Sequence, residues 1–254
     1  MLRILKARIN QRYRTMRYPA GPAPELPARF AGKPVLSGST CGEGCSRCIQ
    51  ACPAGAISVL PPGSVSIDMG SCIFCGDCAG VCSEHIISFS REYRLAALSR
   101  DELIVRSGQG TGPSEVFSRE HARLFKRSLK LRQVSAGGCG ACEADTNVLG
   151  TIGWDLGRFG IQFVASPRHA DGILVTGPVT ANMKEALLKT YDAVPSPKIV
   201  IATGSCAISG GLFNGMPETA GGVNSLLPVD LFIPGCPPHP LTILDGLLRF
   251  LGRN

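Results

Sequence analysis

Residues 72–88 read CIFCGDCAGVCSEHIIS, and they repeat the pattern of residues 41–58, CGEGCSRCIQACPAGAIS, at an offset of thirty positions. Three cysteines of the first copy recur in the second, and each copy ends in Ile-Ser. Between the copies, SVSIDMG (64–70) alternates polar and apolar residues, which predicts a short strand. The repeat therefore predicts a module in which one loop–helix–strand unit occurs twice around a pseudo-twofold axis.

The cysteines of the second copy have the spacing C-x2-C-x2-C-x3-C. In bacterial ferredoxins, three cysteines of such a run bind one 4Fe–4S cluster and the fourth reaches across to the other cluster. The spacing therefore predicts a ferredoxin-like α+β domain with two 4Fe–4S clusters and crossed ligands. The predicted sets are Cys52, Cys72, Cys75 and Cys78 for one cluster, and Cys41, Cys45, Cys48 and Cys82 for the other.

The first copy departs from this pattern because three residues, and not two, separate Cys41 from Cys45. Glycines at positions 42 and 44 make the wider turn sterically inexpensive. Cys41 is consequently the least secure of these eight predicted ligands. Zinc is the competing metal, since it also binds four thiolates. Disulfides are the alternative to a metal, but cysteines this closely spaced point to metal ligands in a reducing compartment.

From residue 134 onward, short apolar runs alternate with helical stretches. Strands are predicted at 171–177, 198–204 and 228–235, and helices at 183–194 and 241–252. Strands that alternate with helices indicate a parallel sheet covered on both faces. The predicted fold class is therefore α/β, with a flavodoxin-like parallel-sheet domain behind the ferredoxin-like domain.

The four remaining cysteines follow strands of this second domain. Cys139 and Cys142 follow LRQVSAGG, Cys206 follows KIVIATG, and Cys236 follows VDLFIPG. Ligands of open α/β sheets gather beyond the carboxyl ends of the strands. Because twelve cysteines divide into three sets of four, we expect a third 4Fe–4S cluster here. The histidines (His85, His121, His169 and His239) lack ligand spacing and are expected to be structural.

The composition, 44% hydrophobic and 18% charged, is that of a packed globular protein and excludes a disordered chain. The sequence contains no run of about 18 uncharged apolar residues, so no membrane-spanning segment is predicted. The N-terminus lacks the apolar core and small-residue cleavage site of a secretory signal, so we expect a cytoplasmic protein.

The net charge of +7 comes from two segments outside the cysteine-rich blocks. Residues 1–18 predict a basic amphipathic helix with an apolar stripe, either packed on its own domain or resting on lipid headgroups or a membrane subunit. Residues 19–40 hold five prolines and predict an extended strap. Residues 118–131 predict a basic helix with Ser118 as its N-cap. Because no aromatic stacking platform accompanies the charge, nucleic acid is not an expected partner.

These features divide the chain into four predicted segments. They are a basic arm and strap (1–40), a two-cluster ferredoxin domain (41–98), a basic connector (99–133) and a third cluster domain (134–254).

Three C-terminal segments carry a resemblance: WDLGRFGIQFVASPRHADGILVTGPVTANM (154–183), GSCAISGG (204–211) and LPVDLFIPGCPPHP (227–240). They resemble the small subunit of nickel–iron hydrogenases and the related B-type subunit of respiratory complex I, over about residues 131–251. Residues 1–100, with MLRILK at the start, resemble the two-cluster ferredoxin subunit of membrane-bound hydrogenases of the formate hydrogenlyase type. The chain thus looks like a fusion of two subunits that are usually separate.

The two branches of this family differ at the first ligand position. Complex I subunits have two adjacent cysteines there, whereas hydrogenase small subunits have C-x2-C followed by acidic residues. The present sequence, CGACEAD (139–145), resembles the hydrogenase branch. In that branch the acid beside the motif is implicated in moving protons to or from the nickel site, which makes Glu143 the candidate catalytic residue. Alternatively, Glu143 is a charged side chain at a helix N-terminus or a subunit interface.

The resemblance implies an electron-transfer subunit of an energy-converting nickel–iron hydrogenase, with three 4Fe–4S clusters and no complete active site of its own. The implied partners are a nickel-binding large subunit, membrane-arm subunits, and a formate dehydrogenase or ferredoxin, on the inner face of the cell membrane. One alternative is a complex I-like or nickel-free oxidoreductase subunit that passes electrons to quinone. Another is a stand-alone ferredoxin-like carrier.

Overall fold

The computed structural model describes residues 2–12, 14–37, 41–42, 44–61, 63–108, 112–125 and 127–253. The helices are α1 (Leu2–Gln11), α2 (Arg47–Ala51), α3 (Asp77–Gly80), α4 (Arg119–Phe125), α5 (Ala141–Val148), α6 (Ala181–Asp192), α7 (Ser205–Ser209) and α8 (Pro240–Phe250). The strands are β1 (Pro34–Leu36), β2 (Ile57–Leu60), β3 (Ser64–Asp68), β4 (Ile87–Phe89), β5 (Ile104–Arg106), β6 (Leu129–Ser135), β7 (Ile161–Phe163), β8 (Gly172–Thr176), β9 (Ile199–Thr203) and β10 (Leu231–Ile233). Among the described helices, none is long and apolar enough to cross a lipid bilayer.

The C-terminal half is a five-stranded parallel sheet in the order β7-β6-β8-β9-β10. In chain order this is 2-1-3-4-5, the strand order of flavodoxin-like folds. The central strands β8 and β9 are buried along their whole length, as expected where helices cover both faces of a sheet. The predicted flavodoxin-like domain is confirmed.

The duplicated cysteine run folds into two copies of one helix–strand unit, α2 with β2 and α3 with β4. Strands β2, β3 and β5 form one antiparallel sheet, and β1 and β4 form a second. Ile57 and Ile87 open β2 and β4 at equivalent positions, and both are buried in one core with Cys48 and Cys78. The predicted ferredoxin-like domain is confirmed as well.

The repeat extends to the backbone conformation. Gly44 has a φ of 75°, and Phe74, thirty residues later, has a φ of 57°. Gly55 and His85 form a second such pair, with φ values of 58° and 50°. Positive φ is rare for residues other than glycine. Phe74 and His85 nevertheless adopt it, because the same chain reversal recurs in both copies.

Two short strands lie where the sequence predicts none. The strap at 19–40 was expected to be extended without regular structure, but β1 lies within it and pairs with β4. Strand β5 lies in the predicted connector (99–133) and pairs with β3. Each strand has three residues, too few to show the polar–apolar alternation that predicts a strand. Each is therefore recognised only through its pairing with a strand distant in the chain.

The two predicted basic helices end earlier than expected. The helix predicted at 118–131 ends at Phe125, because Leu129 and Leu131 face the core as part of β6 and pair with β7. The helix predicted over residues 1–18 ends at Gln11, where Arg12 follows with a φ of 50°. Tyr13, which falls within this predicted helix, lies outside the described residues.

Every residue of α1 is exposed, and Leu2 is 85% accessible. The helix therefore does not pack on the described part of its own domain, whereas Met16 and Tyr18, from the same predicted segment, do. The chain is fastened to the C-terminal domain only after the helix, where the Met16 amide donates to the Gly153 carbonyl at 2.9 Å. Arg158 reinforces the attachment through a 2.6 Å hydrogen bond to the Met16 carbonyl.

The final helix, α8, is buried on nearly all sides. Its leucines face the sheet core as predicted, in a cluster that also contains Tyr18 and Val116 from the preceding segments. The ferredoxin-like domain joins the same body through Ala97, which forms a reciprocal backbone bridge with Phe232 of β10. The two predicted domains thus share a continuous core.

Candidate metal centres

Four thiols from the two copies of the repeat converge around Cys72. Burial raises the pKa of the Cys72 thiol to about 12, and the neighbouring Cys78, Cys52 and Cys75 add to the rise. Burial likewise raises the pKa of Cys78 to about 11, with Cys75 and Cys52 again among the causes. These four residues are called the Cys72 group. Cys52 reaches this group from the first copy of the repeat.

A second group forms around Cys41. Burial raises the pKa of the Cys41 thiol, and the adjacent thiols of Cys45 and Cys82 raise it further. Burial also raises the pKa of Cys48, to which Cys41 and Cys82 contribute. Cys82 therefore crosses from the second copy to the cysteines of the first. These four residues are called the Cys41 group.

Backbone amides donate to thiol sulfurs at equivalent places in the two copies. The Ala56 amide lies 3.3 Å from Sγ of Cys52, and the Ile86 amide lies 3.4 Å from Sγ of Cys82. Each donor is four residues after its cysteine, and the two pairs are thirty residues apart. Amide hydrogen bonds stabilise the anionic thiolate, the form that binds metal. The thiolates of Cys52 and Cys82, the two crossing cysteines, are therefore stabilised in the same way.

The third group lies beyond the carboxyl ends of β6, β9 and β10. Burial raises the pKa of the Cys142 thiol to about 12, and Glu143, Cys206, Cys236 and Cys139 add to it. Burial raises the pKa of Cys206 to about 11, and Cys236 and Cys139 contribute. The four cysteines are called the Cys142 group.

A glycine makes room for the most buried sulfur of this group. Gly204 has a φ of 90°, and a Cβ at that position would lie 2.5 Å from Sγ of Cys142. Any other residue would therefore displace the thiol and strain the backbone. The cradle at Gly204 and the four convergent thiols fit an iron–sulfur cluster.

Within the described residues, no three or more His, Cys, Asp or Glu side chains lie close enough to share a single metal ion. All twelve cysteines are described, and none forms a disulfide.

Glu143 lies beside the Cys142 group at the start of α5. Burial alone would raise the pKa of its carboxyl, but hydrogen bonds from Ser135 and Thr176 outweigh burial and lower the pKa. The Thr176 hydroxyl donates to Oε1 of Glu143 at 2.6 Å. The carboxylate borders a cavity of about 560 Å³ between α5 and α6. Glu143 is therefore ionised, fixed in orientation and connected to open space.

Some residues of these centres carried no signal in the sequence. Thr176 orients Glu143 from the carboxyl end of β8, and only its place at a strand end could have indicated it. Ser205 directly precedes Cys206, but no sequence pattern distinguishes a serine beside a predicted ligand from any other serine. His239 is structural, as expected, because its Nδ1 accepts a hydrogen bond from the Leu241 amide at 3.1 Å and so caps α8.

The fold and the three thiol groups define a class: an iron–sulfur protein that joins a ferredoxin-like module to a flavodoxin-like cluster domain. Residues 40–86 match the family model of the 4Fe–4S dicluster domain, and residues 139–250 match that of the NADH ubiquinone oxidoreductase 20 kDa subunit. The chain belongs to the latter family, and the resemblance seen in the sequence is confirmed.

Relatives come from both branches of this family. Over 131 residues the chain is 43% identical to the probable membrane-bound hydrogenase subunit mbhJ of Pyrococcus furiosus. The aligned region covers 52% of this chain and 78% of that protein. It is 43% identical over 130 residues to formate hydrogenlyase subunit 7 of Escherichia coli, which is 51% of each protein. It is 45% identical over 112 residues to the B-type subunit of the NADH-quinone oxidoreductase of Desulfovibrio desulfuricans, covering 44% of this chain and 61% of that one.

Proposed function

We propose that this chain is the iron–sulfur electron-transfer subunit of a membrane-associated, energy-converting nickel–iron hydrogenase. It relays electrons between a nickel site in a separate large subunit and a redox partner. The observation that carries this choice is the C-x2-C spacing of Cys139 and Cys142 with Glu143 directly after it. The similarity to hydrogenase and formate hydrogenlyase subunits supports the same branch.

The three thiol groups bind three 4Fe–4S clusters, one each. When bound, the clusters act as one-electron carriers. The chain's own residues bury the thiols, donate amide hydrogen bonds to sulfur, and keep the groups in a fixed order. The chain has no complete active site, since its cysteines are used by the clusters.

The order of the groups follows from how the two domains meet. Ser209 of α7 donates to the Gly70 carbonyl at 3.0 Å and holds the loop before Cys72 against the C-terminal domain. The Cys72 group therefore stands between the other two. The Cys41 group borders a cavity of about 660 Å³ whose wall includes the exposed residue Leu60. This side of the ferredoxin-like domain receives the redox partner, a ferredoxin or a formate dehydrogenase.

The nickel-binding large subunit contacts the opposite side, beside the Cys142 group. Three large apolar side chains that follow Cys206 are exposed there: Leu212, Phe213 and Met216. An apolar patch next to a cluster site is suited to a permanent subunit interface. In this proposal Glu143, which borders the cavity between α5 and α6, accepts a proton at its ionised carboxylate on the way to or from the partner's site.

The helix α1 meets the membrane arm of the complex or the adjoining lipid headgroups. Its exposed apolar residues lie on the same short helix as Arg3, Lys6 and Arg8, and no residue of the helix is buried. A basic amphipathic helix binds at a membrane interface through both faces. In this proposal the chain lies at the periphery of the membrane, held by partner subunits.

The decisive experiment measures nickel in the anaerobically purified native complex, together with hydrogen-dependent dye reduction on the same sample. We expect one nickel per copy of this chain, about 12 irons per copy in this subunit, and hydrogen-dependent activity. A complex with no nickel and no hydrogen activity would overturn the hydrogenase assignment.

The second candidate is a complex I-like or nickel-free oxidoreductase subunit that passes electrons to quinone. The observation that favours it is the match of residues 139–250 to the NADH ubiquinone oxidoreductase 20 kDa subunit. The sequence of the partner large subunit separates the two candidates. Two C-x2-C pairs in that partner indicate a nickel site, and their absence indicates the quinone enzyme.

A further inference from the structure

A buried hydroxyl joins the two domains between two of the thiol groups. Ser205 opens α7, directly before Cys206, and is 1% exposed. Its Oγ donates a hydrogen bond of 2.5 Å to the carbonyl oxygen of Cys72. A longer contact of 3.2 Å reaches the carbonyl of Gly235, the residue before Cys236. One side chain therefore links the Cys142 group to a member of the Cys72 group.

We propose that Ser205 is the positioning residue that couples electron transfer between the Cys142 group and the Cys72 group. This inference rests on the relay function proposed above. From Cys206 a bonded route runs through its own amide to Ser205, along the serine side chain and across the hydrogen bond. It then enters the carbonyl of Cys72 and ends at that residue's sulfur. The hydrogen bond is the single non-covalent step of this route.

The surroundings of Ser205 leave this bond without a substitute. Ser205 and Cys72 are both buried, so bulk water does not replace a lost donor. The Ser205 amide is already used, because it donates to the Gly235 carbonyl at 2.9 Å. Removing the hydroxyl would leave the Cys72 carbonyl without this donor and open a gap in the route.

The transfer itself is simple to balance. The Cys142 group and the Cys72 group would each hold one cluster, and one electron would pass from the reduced cluster of the pair to the oxidised one. No proton moves and no covalent bond forms or breaks. The electron is supplied either by hydrogen oxidation in the partner subunit or, in the experiment below, by a photoreduced deazaflavin with its sacrificial amine donor.

The chain contains a matched control one turn further along α7. Ser209 donates to the Gly70 carbonyl at 3.0 Å, so it also fastens α7 to the ferredoxin-like domain through a hydroxyl-to-carbonyl hydrogen bond. Gly70 is not a thiol residue, and Ser209 is not adjacent to one. Ser205→Ala and Ser209→Ala therefore remove comparable structural contacts, but only the first interrupts the route between the groups.

The test uses the anaerobically purified complex with wild-type chain, Ser205→Ala or Ser209→Ala. An electron is injected by flash photoreduction with deazaflavin, and its redistribution among the clusters is followed by microsecond freeze-hyperquench EPR. The potentials are measured on the same samples by EPR-monitored redox titration. We expect a several-fold slower redistribution in Ser205→Ala at unchanged potentials, and the wild-type rate in Ser209→Ala.

Three results would overturn the inference. They are a wild-type rate in Ser205→Ala, an equal slowing in both variants, and a slowing in Ser205→Ala that its shifted potentials account for. The proposed function fails separately, if the wild-type complex contains no nickel and shows no hydrogen activity.

Discussion

The Tyr18 hydroxyl donates a hydrogen bond of 2.8 Å to Oδ1 of Asp245 in the interior of the protein. Oδ2 of the same carboxylate pairs with Nε of Arg249 at 2.7 Å. Tyr18 lies between α1 and the strap, and Asp245 lies in α8, so this bond closes the N-terminal segment over the last helix. The bond gives the Asp245 carboxylate a partner inside the protein, so α8 can be buried on nearly every side.

Replacing Tyr18 by Phe should lower the free energy of unfolding by about 1.5–3 kcal/mol, since a buried carboxylate loses one donor. Thermal unfolding of the anaerobic protein measures the change. Thr15→Val is the matched control, because Thr15 also ties the segment after α1 to the C-terminal domain, through an exposed bond of 3.0 Å to the Ile152 carbonyl. We expect less than about 0.5 kcal/mol for this control. Equal effects in the two variants would contradict the account.

Gly204→Ala should remove the cluster proposed for the Cys142 group and leave the other two. The added Cβ would lie 2.5 Å from Sγ of Cys142, on backbone with a φ of 90°. EPR should show one centre missing, as it should for Cys236→Ser, which deletes one proposed ligand. Gly153→Ala is the control, because a Cβ there has no atom within 4 Å. Loss of all three centres in Gly204→Ala would contradict two independently loaded modules.

Glu143→Gln should lower hydrogen turnover by about 10²-fold or more, because glutamine retains the acceptor oxygen for Thr176 but cannot carry a proton. The cluster EPR signals should persist, and the potential of the centre at the Cys142 group should rise, because the negative charge beside Cys142 is removed. Asp145→Asn, a carboxylate two residues further along α5, should keep most of the activity. Full hydrogen turnover in Glu143→Gln would show that this residue has only a structural role.

His239 should make stability depend on pH below neutrality. Burial lowers the pKa of its imidazole, and nearby Asp145 opposes the change only in part. Because the pKa of His239 is lower in the folded state, its neutral form stabilises the fold. This stabilisation is fully present above the unfolded pKa of about 6.5 and is lost as the pH falls. Protonation would also remove the acceptor that caps α8 at the Leu241 amide.

His239→Asn retains a capping acceptor and does not titrate. The wild type should therefore become progressively less stable than the variant between pH about 7 and about 5. Thermal midpoints of both proteins across this range measure the difference. Parallel curves would mean that His239 does not bind a proton differently on folding.

The cysteine spacing and the alternating strands were sufficient to predict both domains. A run such as Cys72 to Cys82 sets its geometry within a few residues, so the type of fold around it is locally encoded. The strands β8 and β9 are continuous apolar runs, because a central parallel strand is buried on both faces. The two-module architecture could therefore be predicted from the sequence, and the family through the resemblance of its segments to known subunits.

Other features could not be predicted, because their partners are distant in the chain. Strand β1 is regular only because β4 pairs with it, and β5 only because of β3. Phe74 and His85 adopt positive φ at positions where the first copy has glycine, and no local preference indicates this.

The sequence by itself determined which side chains are available for metal binding and the two modules that carry them. Ligand type and spacing along a loop are local properties, and so is the period of an apolar pattern. Only the tertiary structure decided how the modules join: Ser205 against Cys72, Tyr18 against Asp245, and α1 left exposed. These outcomes depend on which surfaces become buried together when distant segments pack, and no single segment contains that information.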